Sequence, residues 1–389
     1  KASNMKVSVI GAGSMGSGIA QIASTAGCEV TLYDNNPDSL EIAGKKLVKI
    51  MNRLVEKEKI TQEVADGILG RIDMTSSLPM IEGSSLVVEA IIENLDIKKQ
   101  VFTKIENLVD SNCILASNTS SLSIASIASA CKNRDLVIGL HFFNPAPLMP
   151  LVEIIPAITT SNECVVKAKE LMLEWGKVPV VAKDTPGFIV NRVARSFYSE
   201  GLRIYEEGIA DMASIDWAMK EIGGFRMGPF ELMDFIGHDV NYAVTESVFK
   251  EFYFDPRFKP SITQKRLVEA GLLGRKSGKG FYDYTEGTEK IAPNENRELG
   301  ELIFNRIIVM LINEAADSLH LNIASKEDLD TAMTRGVNYP KGLLQWGDEI
   351  GVTEVYNRLN ELFVAYGEDR YRPSFLLRKM SISNENFYN

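Results

Sequence analysis

Positions 114 residues apart in the C-terminal half of this 389-residue chain carry the same residue again and again. Asn191-Arg192 returns as Asn305-Arg306, Glu200 as Glu314, and Ile209-Ala210 as Ile323-Ala324. Asp216, Ala218-Met219, Gly228, Asp234, Ile236-Gly237 and Tyr242 recur at the same shift. Repetition at one constant offset marks a duplicated module, and the 3.6-residue apolar period of the segment makes that module helical. Leu273–Asn296, rich in Gly, Lys and polar residues, reads as the linker between the copies. Asp184-Thr185-Pro186-Gly187, just ahead of the first copy, has no counterpart before Asn305. The second copy is therefore expected to keep the fold and lose the chemistry.

The N-terminal half is built differently. Short aliphatic or β-branched runs alternate with helical patterns, the mark of βαβ units on a parallel sheet. Strands are expected at Lys6–Ile10, Glu29–Tyr33, Leu86–Ala90, Cys113–Ser117, Leu136–Leu140, Leu151–Pro156 and Val178–Ala182. Their unbroken apolar character suits strands covered on both faces. The expected architecture is an α/β Rossmann-type doubly wound sheet followed by an all-α domain in two tandem copies. The boundaries are placed at 5–185, 186–285 and 297–389, and Lys1 to Asn4 reads as an extension ahead of a natural start at Met5.

Composition narrows the function classes. The formal net charge of −10 argues against a protein that grips nucleic acid through phosphate contacts. Cys28, Cys113, Cys131 and Cys164 lie far apart, with neither a C-x-x-C pair nor zinc-ligand spacing, so neither a disulfide framework nor a metal site is expected. No apolar run approaches the ~20 residues of a membrane span. A soluble protein of a reducing compartment, the cytoplasm, is the expectation.

Lys6–Ile10 runs into Gly11-Ala12-Gly13-Ser14-Met15-Gly16 and then a helical stretch. The first glycine allows the tight turn, the second lets backbone approach a diphosphate, and the third lets helix and strand pack closely. The helix N-terminus adds N–H donors and partial positive charge. Asp34, at the end of the second strand, stands where an acid can accept from both ribose hydroxyls and repel a 2′-phosphate. NAD is favoured over NADP, with FAD a smaller alternative using the same fingerprint. A structural glycine turn beside a surface aspartate is the bland reading.

Three histidines are present. His141 directly follows the expected strand Leu136–Leu140, where open α/β sheets form their ligand crevice. Glu153 lies within the next, otherwise apolar strand, and a carboxylate there needs a partner. A histidine held by a carboxylate is the arrangement that removes a hydroxyl proton as hydride leaves the same carbon. His238 reads as local structure and His320 as exposed. The hydroxyl- and amide-rich run Ser117-Asn118-Thr119-Ser120-Ser121 exceeds what capping one helix requires, so part of it is read as binding substrate oxygen. Glu89 and Glu93 leave the sheet together, and either could cap the following helix. Lys46, Lys49, Arg53 and Lys57 share one helical face. That stripe could seat the phosphates of coenzyme A, or be a solvated face balanced by Glu41, Glu56 and Glu58.

Taken together, the glycine loop, Glu93-Asn94, Ser117–Leu122, His141–Pro145, Asp184–Arg192 and Met227-Gly228-Pro229-Phe230-Glu231 resemble the NAD-dependent L-3-hydroxyacyl-CoA dehydrogenases, 3-hydroxybutyryl-CoA dehydrogenase among them. The resemblance spans roughly residues 5 to 285, and the repeat looks like the extra helical copy of longer members. It implies oxidation of an L-3-hydroxyacyl-CoA, with His141 as base and Glu153 orienting it. It implies that Ser120 and Asn191 bind the substrate's C3 oxygen or thioester region. Glu93, Lys98, Ser120, Asn144 and Lys276 are implied around the cofactor. Short members pair through their helical domains, so the attached second copy suggests an intrachain pseudo-dimer and a monomer, with a homodimer as the alternative. Rival readings are a β-hydroxyacid dehydrogenase acting on a free acid and a non-catalytic, crystallin-like NAD-binding relative.

Overall fold

The computed structural model describes residues 5–389; the expectation for Lys1 to Asn4 lies outside them. The chain forms two compact units, the first ending at Thr185 and the second running Pro186–Asn389.

In the first unit β1 (Lys6–Ile10), α1 (Ser14–Thr25), β2 (Glu29–Tyr33), α2 (Pro37–Glu56), α3 (Gln62–Gly70) and β3 (Ile72–Thr75) build one half. β4 (Leu86–Glu89), α4 (Leu95–Glu106), β5 (Ile114–Ser117), α5 (Ile124–Ala128) and β6 (Val137–Phe142) build the other. β7 (Leu151–Pro156), α6 (Asn162–Glu174) and β8 (Val178–Val181) complete it. The eight strands lie in the order β3-β2-β1-β4-β5-β6-β7-β8. Every neighbouring pair is parallel except β6 and β7. The central strands are buried along their length, and Val7, Val9, Leu32, Val88, Ile138 and Ile154 join one core with α1 and α6. Burial of apolar surface at about 25 cal/mol per Å² is what holds such a sandwich of layers together.

Two differences from the sequence reading matter. β3 was not foreseen: Ile72-Asp73-Met74-Thr75 is an edge strand with an exposed polar side, so it lacks the apolar run that marked the others. β6 extends to Phe142, which puts His141 inside the strand rather than after it.

The second unit contains α7 (Val190–Val193), α8 (Arg195–Glu206), α9 (Met212–Glu221), α10 (Pro229–Ile236), α11 (His238–Glu251) and α12 (Ile262–Glu269). These are followed by α13 (Arg297–His320), α14 (Lys326–Gly336), α15 (Leu343–Ile350), α16 (Val352–Tyr366) and α17 (Phe375–Ser383). The starts of α9, α11, α14 and α16 obey the 114-residue offset, and α12 and α17 are related by 113, one residue having been lost between them. Leu273–Asn296 is only partly a linker. Gly274 and Lys279 form a β-bridge, and the Phe281 and Tyr282 N–H groups donate to Asp234 at 2.9 and 3.0 Å. That segment closes the first copy, leaving 285–296, without helix or strand, as the connector.

The copies meet about a pseudo-two-fold axis. Arg192 Nε donates to Glu314 Oε1 at 2.8 Å, and the equivalent Arg306 donates through Nη2 to Glu200 Oε1 at 2.6 Å. Phe225 packs on its own equivalent, Tyr339, with ring centroids 5.1 Å apart. Reciprocal contacts and a residue touching its own image are what an isologous interface produces.

Candidate active site

Strand order reverses between β1 and β4, and in open sheets ligands bind in the crevice at that point. Gly11 takes φ +106° there, and a Cβ on Gly16 would lie 1.7 Å from the Gly11 carbonyl oxygen, so neither position admits a side chain. Gly13 caps α1 without any side-chain hydrogen bond, and a Cβ on it would meet nothing within 4 Å. The first N–H groups of α1 are thus left open to an anion. Asp34 is fixed beside them: its carboxylate accepts from Ala12 N at 2.8 Å and Asn36 N at 2.9 Å. Met15 lies in the first turn of α1, and exposed Lys46 reaches Ser14 Oγ at 3.3 Å. These residues fit a dinucleotide, with diphosphate at the open amides and ribose hydroxyls toward Asp34.

The antiparallel register of β6 and β7 sets His141 directly opposite Glu153. Opposed residues project from the same face of a sheet, so the two side chains must meet. His141 Nδ1 and Glu153 Oε1 are 2.7 Å apart, with the imidazole 6% and the glutamate 0% exposed. A carboxylate at Nδ1 favours the tautomer that carries its hydrogen on that nitrogen and leaves Nε2 as the acceptor. The Phe143 ring lies 4.5 Å from the imidazole. Asn118 Oδ1, at the end of β5, accepts from Phe142 N at 2.8 Å and ties the two strand ends together. Lys177 donates to the carbonyls of Ala146 and Met149, both at 2.7 Å, clamping the loop after β6. Burial pushes that ammonium down to about 8. Nothing in the sequence around Lys177 signals this role, which arises only from the fold.

Neither Glu89 nor Glu93 caps α4; Asn94 does, accepting from Ile97 N at 3.0 Å. Glu89 is fully buried, paired with Lys98 and accepting from Ser117 Oγ at 2.6 Å. Glu93 accepts from Thr119 Oγ1 at 2.8 Å and from Ser120 N and Oγ at 3.0 and 3.2 Å. Burial alone would raise the Glu93 carboxyl, but the Lys98 ammonium and these donors outweigh it and hold it below its ordinary value. Ser117, Thr119, Ser120 and Ser121 therefore serve two carboxylates, while α5 is capped by Ser123. Asp184 adds acceptors for Ile124 N and Ala125 N, both at 2.9 Å.

Glu93, Lys98 and Ser120 thus come together. Asn144 lies exposed in the loop after β6. Asn191 (on α7) and Lys276 belong to the helical unit, where Lys276 pairs with Asp239 at 2.6 Å. Lys57 is exposed at the C-cap of α2. His238 is buried against Asp234 at 2.7 Å, and His320 is exposed. All four cysteines are buried and none forms a disulfide, and among the described residues no helix is long and apolar enough to cross a membrane.

An open diphosphate cradle at one strand end and a carboxylate-held imidazole at another are what a nicotinamide-dependent dehydrogenase of alcohols requires. Residues 6–185 match the NAD binding domain of 3-hydroxyacyl-CoA dehydrogenase, and 187–284 and 302–386 match its C-terminal domain. The chain is 36% identical to 3-hydroxyadipyl-CoA dehydrogenase of Escherichia coli K12, over 97% of each. It is 39% identical to mitochondrial hydroxyacyl-coenzyme A dehydrogenase of Sus scrofa, over 72% of this chain and 90% of that protein. A crystal structure of 3-hydroxybutyryl-CoA dehydrogenase from Escherichia coli K12 superposes with a TM-score of 0.92 at 36% identity, covering 97% and 98%. The chain belongs to the 3-hydroxyacyl-CoA dehydrogenase family, NAD-dependent oxidoreductases.

Proposed function

We propose that the protein oxidises an L-3-hydroxyacyl-CoA reversibly to the 3-ketoacyl-CoA, with the His141–Glu153 pair as its proton-handling device. When bound, NAD supplies the hydride acceptor. His141 takes the hydroxyl proton at Nε2, and Glu153 stabilises the imidazolium so formed and fixes the ring's orientation. Ser120 and Asn191 hydrogen-bond the oxygen that becomes the carbonyl. Glu93, Lys98, Asn144 and Lys276 position the cofactor, and the basic stripe ending at Lys57 is offered to the phosphates of coenzyme A. The relatives' names span a hydroxybutyryl and a hydroxyadipyl thioester, and the substrate is taken from that short-chain range. We place the enzyme in the cytoplasm.

The reading is carried by the 2.7 Å contact between two buried, register-paired side chains. His141→Gln should lower kcat on the order of 10²- to 10⁴-fold, the usual contribution of a general base, with NADH affinity nearly kept. Turnover of acetoacetyl-CoA at the wild-type rate by that variant would remove His141 from the mechanism. The reciprocal contacts between the helical copies support a chain that satisfies its own dimer interface. We therefore expect a monomer by light scattering at micromolar concentration, and a tight dimer would defeat that expectation.

A further inference from the structure

Arg195 is 5% exposed with its guanidinium 5.1 Å from the Tyr198 ring centroid, yet no carboxylate among the described residues pairs with it. Its Nη1 donates to Thr245 Oγ1 at 2.8 Å and to the Asn241 carbonyl at 3.4 Å, both neutral, and its Nε has no partner. The ionisable groups close enough to act on it are Tyr198 and Tyr339. Burial pushes both phenols above their ordinary value, so neither supplies a countercharge at neutral pH. The Tyr339 hydroxyl is itself buried without a partner. A guanidinium cannot shed its charge, and a buried cation without an anion is costly.

The second copy shows that the fold does not need this charge. The counterparts of Arg195, Asn241 and Thr245 are Val309, Val355 and Leu359, all fully buried. Across the pseudo-two-fold axis, Arg195 and Tyr339 stand where the image pair is Val309 and Phe225. A cation and an adjacent unused hydroxyl have replaced two apolar groups on one side only. Asn191, read above as a substrate contact, precedes Arg195 by four residues, about one helical turn and ~6 Å along the axis. α7 ends at Val193 and α8 begins at Arg195, but Ala194 between them keeps αR geometry, so the interruption leaves the two residues about one turn apart.

We propose that Arg195 and Tyr339 receive the free terminal carboxylate of an ω-carboxylated acyl chain, making 3-hydroxy-dicarboxylyl-CoA thioesters the substrate class. This rests on the dehydrogenase reading and on Asn191 as its substrate contact. A short saturated chain spans one helical turn, so the carbon that bears the hydroxyl lies near Asn191 while the chain end reaches the guanidinium. Phe197 and Phe225 pack on Tyr339 at 5.9 and 5.1 Å, surroundings that suit a hydrocarbon chain with one charged end better than the bulky, multiply charged phosphates of coenzyme A. The second copy contributes Tyr339, so it completes the specificity site as well as the interface.

The test compares 3-oxoadipyl-CoA with 3-oxohexanoyl-CoA, of equal length but ending in carboxylate or methyl, by NADH oxidation with the full chain. The wild type should favour the carboxylate on the order of 10²-fold in kcat/KM, because the methyl compound leaves buried donors unmatched. Arg195→Val, the residue of the second copy, should collapse that ratio on the order of 10²-fold, and Arg195→Lys should restore part of it. Tyr339→Phe, the residue at the image position, should lower the ratio about 5-fold and provides a mild variant should Arg195→Val fold poorly. A wild type indifferent to the chain end overturns the proposal, as does an Arg195→Val variant that loses both substrates in equal proportion. If neither thioester oxidises NADH, the dehydrogenase reading itself fails.

Discussion

The two helical copies share a fold, their cross-axis ion pairs and the aspartates that dock a Phe-Tyr dipeptide, but one chain of buried polar groups belongs to the first copy alone. In the first, hydrogen bonds run from Asp234 to His238, on to Gln264 at 3.1 Å and Asn241 at 3.0 Å, and end at Arg195 and Thr245. In the second, the residues matching His238, Gln264, Asn241, Thr245 and Arg195 are Val352, Leu377, Val355, Leu359 and Val309. An apolar set packs the same helices just as completely, so packing alone does not account for the polar one. Entry differs as well. The first copy begins with a turn holding Gly187 and Phe188 at φ +74° and +47°, and its helix breaks at Ala194, whereas α13 runs unbroken through the matching stretch. The loop that carries Lys276 has no equivalent before Asn386. What the copies do share is the cross-axis ion pairs and the docking of a Phe-Tyr dipeptide. Duplication thus separates what the module needs to fold from what one copy needs in order to act.

The largest effect should come from the shared part. Arg192 pairs with Glu314, and Arg306 with Glu200, all at or below 7% exposure. Each glutamate keeps a more distant arginine, Arg257 at 3.3 Å and Arg370 at 3.5 Å. Removing one member of a buried pair costs about 3–5 kcal/mol, since the remaining charge stays out of water. Arg306→Met and Arg192→Met should therefore destabilise alike, lowering the thermal midpoint by roughly 2–4 °C per kcal/mol in a unit of this size. Scanning calorimetry of both variants checks it. If one variant matched the wild type while the other unfolded early, the two-fold relation would be geometric only.

Much of this is legible in the sequence, and the rest has physical obstacles. The glycine turn announced itself because only glycine tolerates φ +106° at Gly11 and the 1.7 Å approach at Gly16. The His141–Glu153 pairing could be anticipated because a lone acid in an apolar strand demands a partner. The reading placed His141 one residue beyond its strand, however, since a histidine ends an apolar run in sequence but not in a ladder. Glu89 misled for the opposite reason: Lys98, its partner, lies one strand end and a helical turn away, so nothing local distinguishes a buried ion pair from a cap. Lys177 and Tyr339 were invisible, as their partners are far off in sequence and their residue types are ordinary. Asn386-Phe387-Tyr388 escaped the repeat because the segment ahead of it is shortened, which moves its offset from the first copy to 106.

That last dipeptide gives the second, smaller test of the comparison. Asp348 accepts from Phe387 N at 2.7 Å and Tyr388 N at 3.0 Å, as Asp234 does from Phe281 and Tyr282. Tyr388 donates its hydroxyl to Asp330 at 2.9 Å, as Tyr282 does to Asp216 at 2.6 Å. Phe387 is buried and packs on the glycine at 347. Deleting Phe387–Asn389 leaves two carboxylates short of donors and opens a space the size of a phenyl ring. A loss of about 2–4 kcal/mol is expected from the unmatched acceptors and the cavity together. Urea unfolding reads that loss as a lower midpoint at nearly constant slope. Because the first copy closes on its own Phe281-Tyr282, kcat for acetoacetyl-CoA below the unfolding transition should stay close to that of the intact chain. A truncated chain equal in stability to the full one would mean that the second copy folds without the closure on which the first depends.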